Sequence, residues 1–79
     1  MWWLFEKTND TNNTITYRYS CESDLLDGVV CFDKTTEEAK ILTPCASDIN
    51  NDWCQSRTLE KMEILFEEKF PDRRRVVCG

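Results

Sequence analysis

Between Asp52 and Phe70 the apolar residues recur at helical spacing. At about 100° per residue, Leu59, Met62, Leu65, Phe66 and Phe70 fall within an arc of roughly 140°, the width of a helix face turned toward a core. The spacing predicts one amphipathic helix over 52–70 with Phe66 at the centre of its buried side. Asp52 stands three residues before Gln55, the pattern of a capping box in which each side chain satisfies a free backbone N–H of the first turn. Pro71 forbids continuation at the other end, because it lacks an N–H and its ring collides with the preceding turn. A chain of 79 residues has room for a single core, so one α+β domain over 1–79 is expected and everything else must supply the surface on which this face packs.

The remaining segments read as strands. Trp2 to Lys7 is rich in aromatic residues and apolar on both faces, Trp2 and Leu4 on one, Trp3 and Phe5 on the other. Thr8 to Asn13 consists of residues that bond their own backbone, which predicts a hairpin loop. From Thr14 to Cys21 the alternation is clean: Ile15, Tyr17, Tyr19 and Cys21 share one face, and Thr14, Thr16, Arg18 and Ser20 share the other. Asp27-Gly28 is a turn signal before a third strand, Val29 to Asp33. Lys40 to Thr43 makes a short fourth that Pro44 ends, and Val76-Val77-Cys78 after the helix suggests a short edge strand. Strands followed by a helix predict an antiparallel sheet of about four strands, joined as hairpins, with the C-terminal helix on one face.

Five cysteines in so small a chain raise the question of a staple. Zinc knuckles hold thiolates two to four residues apart, because one tight turn must aim both sulfurs at one ion. Cys21, Cys31, Cys45, Cys54 and Cys78 contain no such pair, and there is no histidine. Free thiols are therefore expected, with no metal and no cofactor; an exposed one could link two chains as a homodimer. The N-terminus reaches a charge at Glu6 and lacks the basic start and long apolar run of a secretory signal, so a cytoplasmic address without membrane attachment is expected.

Charge is unevenly distributed. Residues 1–40 hold eight acids against four bases, 41–68 six against two, and 69–79 one against four, for nets of −4, −4 and +3. An acidic body argues against direct nucleic-acid binding, which requires Lys and Arg to neutralise phosphates. It suits a partner protein with a basic surface, or serves nothing more than solubility. Glu60, Glu63 and Glu67 line one side of the helix, which in most surface helices is simply a solvated ridge. Trp53 and Ile64 lie about 20° apart around it and more than 90° from the middle of the apolar arc, free of the core by simple geometry. Tryptophan concentrates at binding hot spots because it buries much area with little rotamer loss. These five residues are the candidate partner-binding set. Arg73-Arg74-Arg75 is the one basic cluster, which could pair with phosphates or a partner's acids but is read first as complementing the helix C-terminus and guarding a sheet edge.

The expectation is a non-enzymatic protein-interaction domain, an inhibitor or adaptor of the kind mobile elements use to cover basic surfaces of host nucleases. The alternative is a thiolate metal-binding or redox module. An enzyme ranks third, since no histidine is available as general acid or base.

Overall fold

The computed structural model describes residues 1–78. Five strands, β1 (Trp2–Asp10), β2 (Thr14–Cys21), β3 (Gly28–Asp33), β4 (Glu38–Thr43) and β5 (Arg73–Val77), form one antiparallel sheet in the order β4-β3-β2-β1-β5. The helix α1 (Asp52–Glu67) lies between β4 and β5 in sequence. The expected sheet-and-helix architecture is therefore present, with a fifth strand beginning at the arginines instead of at Val76. β5 returns to pair with β1, setting Leu4 opposite Arg75 and Trp3 opposite Val76.

The first hairpin shows how local chemistry sets an element's length. Thr11 accepts at its hydroxyl from the N–H groups of Asn13 and Thr14, at 3.2 and 3.0 Å, and its own N–H reaches the Thr14 carbonyl at 2.8 Å. One side chain thus organises the turn, and the expected loop 8–13 shrinks as β1 runs on to Asp10. The register slips between Lys7 and Asn9 to absorb one extra residue.

The alternating residues of β2 behave as their pattern demands. Ile15, Tyr17, Tyr19 and Cys21 are buried and join Trp3, Phe5, Val30, Phe32, Met62, Leu65 and Val76 in the core. On the opposite face Leu4 is also buried, and Trp2 is half-buried with the Arg75 guanidinium 4.6 Å above its ring. Gly28 is the first residue of β3 and sits opposite Tyr19; a side chain at Gly28 would occupy the volume of the Tyr19 ring. The glycine is needed for this close approach rather than for a turn.

The helix is real, but its orientation and ends differ from expectation. Its most deeply buried residues are Thr58, Met62 and Leu65, and Phe66 is 40% exposed. The buried face is turned by about 40° from the middle of the apolar arc, on helical-wheel geometry. The cause is Thr58, a polar residue placed innermost by two hydrogen bonds: it accepts from Trp3 Nε1 and donates to Asp48. The N-cap is Asn51 rather than Asp52, its side chain accepting from Cys54 N at 3.0 Å. The last helical residue is Glu67, and Lys69 and Phe70 adopt left-handed φ of 61° and 58° that reverse the chain before Pro71.

Candidate functional site

Three phenylalanines meet where α1 ends over β3. Ring centroids of Phe32 and Phe66 are 5.2 Å apart, Phe32 and Phe70 5.0 Å, and Phe66 and Phe70 5.9 Å. Phe32 is buried and Phe70 half-buried, so the exposed part of the trio is Phe66. Phe66 and Phe70 are four apart in sequence, yet it is the left-handed turn at Lys69 and Phe70 that folds the second ring back against the first. Beside them opens a cleft of ≈ 290 Å³ lined by Phe32, Phe66, Glu37, Glu63 and Glu67. Its volume is at the lower end for ligand cavities, so it suits one side chain better than a whole metabolite.

The three carboxylates come from two elements. Glu63 and Glu67 are one helical turn apart on α1, and Glu37 lies in the β3–β4 turn with a left-handed φ of 58°, strained for a residue with a Cβ. None of the three forms an ion pair among the described residues, whereas neighbouring Glu68 pairs with Arg74 at 2.8 Å. The Arg74 guanidinium holds the Glu68 carboxyl below its ordinary range. Local physics disfavours the arrangement: like charges four apart repel, and α1 has no base in its last turn to offset acids near its negative end. The combination of π faces and uncompensated carboxylates attracts cations.

Of the residues singled out in the sequence, the cleft brings together Glu63 and Glu67. Glu60 is exposed and faces Arg57 at 3.7 Å. Trp53 is 62% exposed near the start of α1, with Arg57 5.4 Å over its ring. Ile64 is half-buried and packs against the core, so it lies apart from Trp53's solvent-facing surface. The arginines split by strand alternation: Arg74 joins Glu68, Arg73 joins Glu6 at 2.7 Å, and Arg75 covers Trp2. Glu37 and Phe32 were not legible as site residues, because only the pairing of β3 with β4 and the packing of α1 bring them to Phe66.

A second polar feature is internal. Asp48, 1% exposed, accepts at Oδ2 from the hydroxyls of Tyr19 at 2.6 Å and Thr58 at 2.8 Å. Trp3 Nε1 donates to Thr58 at 3.0 Å, and Cys45 N donates to the Tyr19 hydroxyl at 3.1 Å. Among the described residues no donor reaches Asp48 Oδ1. The network fastens the 44–51 connection to both sheet and helix, a role for a buried carboxylate that no local motif announces.

The five thiols are free, Cys21 and Cys45 buried and the others half-buried. Burial first, and then the proximity of Cys45, pushes the Cys21 thiol up to about 11; burial and Asp48 push Cys45 up as well. Both stay protonated near neutral pH, where a thiol is a poor nucleophile and metal ligand. Among the described residues no group of three or more Cys, Asp or Glu is arranged to hold a metal ion, and no helix is long and apolar enough to cross a membrane. No protein-family model, curated protein or solved structure matches the chain.

Proposed function

We propose that this chain is a non-enzymatic protein-interaction domain, an inhibitor or adaptor, whose aromatic cleft takes a basic side chain from the surface of a partner protein. The observation that carries the reading is the set of three carboxylates, Glu37, Glu63 and Glu67, beside the partly exposed ring of Phe66, with no base among the described residues paired to them. Each contributes to attracting a cation, and the ring contributes a face on which a guanidinium can lie. The ridge that continues to Glu60 and Trp53 on α1 would extend the contact if the partner covers the helix. Acidic steering sets the approach rate, and burial of the aromatic surface sets the lifetime.

The direct test follows the Phe66 ring resonances by NMR while N-acetyl-arginine amide is titrated into the protein. The ring should shift in a saturable way, and the triple variant Glu37→Gln/Glu63→Gln/Glu67→Gln should abolish the shift while keeping the fold. A ring that does not respond, or responds equally in the triple variant, rules out the cleft as a cation site.

A further inference from the structure

The sheet has two edges, and they are not alike. At one, β5 carries three consecutive arginines, and the Arg74 guanidinium donates to the Arg75 carbonyl, occupying part of its own edge. At the other, β4 pairs with β3 on one side, and no other backbone or side-chain group of the described residues hydrogen-bonds its main chain. From Glu38 to Ile41 the pairing with β3 is regular; the one irregularity falls beyond it, toward Leu42. A bare, regular edge is a template for another strand.

That edge adjoins the cleft. Glu37 lines the cleft and immediately precedes β4, and Phe32 stands opposite Ala39 in the β3–β4 register. Ala39, the residue between Phe32 and the edge in that row, has only a methyl side chain. An added strand would run about 4.8 Å outside β4, with alternate side chains toward the helix side of the sheet. The side chain continuing the Phe32–Ala39 row would reach the space rimmed by Glu37, Glu63 and Glu67. The side chain two residues away would continue the Val30–Ile41 row and rest on half-buried Ile41.

We propose that the partner docks as an extended strand added to β4, placing a basic residue in the cleft and an apolar residue, two positions away, on Ile41. The inference rests on the cation-binding reading of the cleft and adds the partner's conformation and its basic-x-apolar pattern. Charge complementarity selects the basic residue, and the free edge selects an extended backbone.

The test uses the ¹⁵N-labelled full chain and four probes: N-acetyl-arginine amide, the pentapeptide acetyl-Thr-Arg-Thr-Val-Thr-amide, and two isomeric N-methylated forms of that peptide, one methylated at Arg and Val and the other at the first two Thr. Alternate residues of a strand bond to opposite sides, so one isomer must lose the hydrogen bonds to β4. The pentapeptide should bind more tightly than the arginine amide and slow amide exchange of β4 by about tenfold or more, with one isomer weakened about tenfold, the worth of one well-made hydrogen bond. If the arginine amide shifts Phe66 but β4 exchange is unchanged and both isomers bind like the parent, strand addition is wrong and the cleft reading stands. If neither the amide nor the pentapeptide moves Phe66, both fall.

Discussion

Trp3 and Thr58, 55 positions apart in sequence and both fully buried, meet through an indole hydrogen bond of 3.0 Å. The Thr58 hydroxyl in turn donates a hydrogen bond to Asp48, so one residue links the sheet, the helix and the connection before the helix. Thr58→Val keeps the volume but leaves the Trp3 N–H without an acceptor, which should cost about 1–3 kcal/mol. Thr58→Ser keeps the hydroxyl and should cost roughly 1 kcal/mol for the lost methyl. Urea unfolding of the two variants against the parent checks the order; equal losses would mean that packing, not the hydrogen bond, sets the position of Thr58.

The same residue explains where the helix reading stopped. Counting apolar positions puts Phe66 at the centre of the buried face; the structure gives that place to Thr58, Met62 and Leu65. Leu65→Ala should cost about 2–5 kcal/mol as a cavity in a close-packed core. Phe66→Ala should cost less, about 1–2 kcal/mol, for the aromatic contacts and covered area of a ring that is 40% exposed. Thermal melts can separate them, since 1 kcal/mol moves Tm by about 4–8 °C in a domain of this size. A Phe66 variant as unstable as the Leu65 variant would restore the original orientation.

What was legible follows from which interactions are local. β2 could be read to the residue because its alternation and its turn at Thr11 are both short-range. The helix could be read as an element, but not its rotation, because a buried polar network spanning residues 3 to 58 decides that. Glu63 and Glu67 could be placed on one ridge from spacing alone. Their meeting with Glu37 and Phe32 depends on strand order, which no local pattern carries. The arginine triplet lies on a sheet edge and meets the helix end through Arg74, as its position suggests, but only its place in β5 shows that its members alternate between faces.

Gly28 gives a compact check on register. Its lack of a side chain admits the Tyr19 ring, whose hydroxyl then reaches Asp48. Gly28→Ala should therefore destabilise by about 1–3 kcal/mol through overpacking, although alanine is the better strand residue. A neutral or stabilising Gly28→Ala would place the Tyr19 ring elsewhere.

Alkali should weaken the fold from about pH 9 upward. The Cys21 thiol is raised from 9.0 to about 11 in the native state, so the unfolded chain loses that proton first. Stability is then complete below pH 9 and declines as pH rises toward 11, because the unfolded state binds fewer protons. Cys45, also raised by burial, adds to the decline, as do Tyr17 and Tyr19 at still higher pH. Urea midpoints between pH 7 and 11 measure it, and Cys21→Ala should flatten the first part of the curve. A midpoint that stays level through pH 10.5 contradicts the burial of these thiols.

The acids of the cleft should oppose stability while serving binding. Glu63 and Glu67 repel each other across one helical turn, and Glu67 lies near the negative end of α1 without a base beside it. Glu63→Gln/Glu67→Gln should thus raise stability by about 0.2–0.5 kcal/mol at low salt, and the gain should shrink as salt rises. Binding should move the other way: affinity for a basic peptide falls, and its salt dependence flattens because fewer charges are screened. Arg73→Ala/Arg75→Ala removes bases from the opposite face of the sheet and should leave that affinity unchanged, provided the variant folds. Calorimetric titrations at low and high salt, beside urea melts of the same samples, measure both signs. If the glutamine variant gains stability yet binds the peptide as before, with the same salt slope, the carboxylates of the cleft do not recognise the basic side chain.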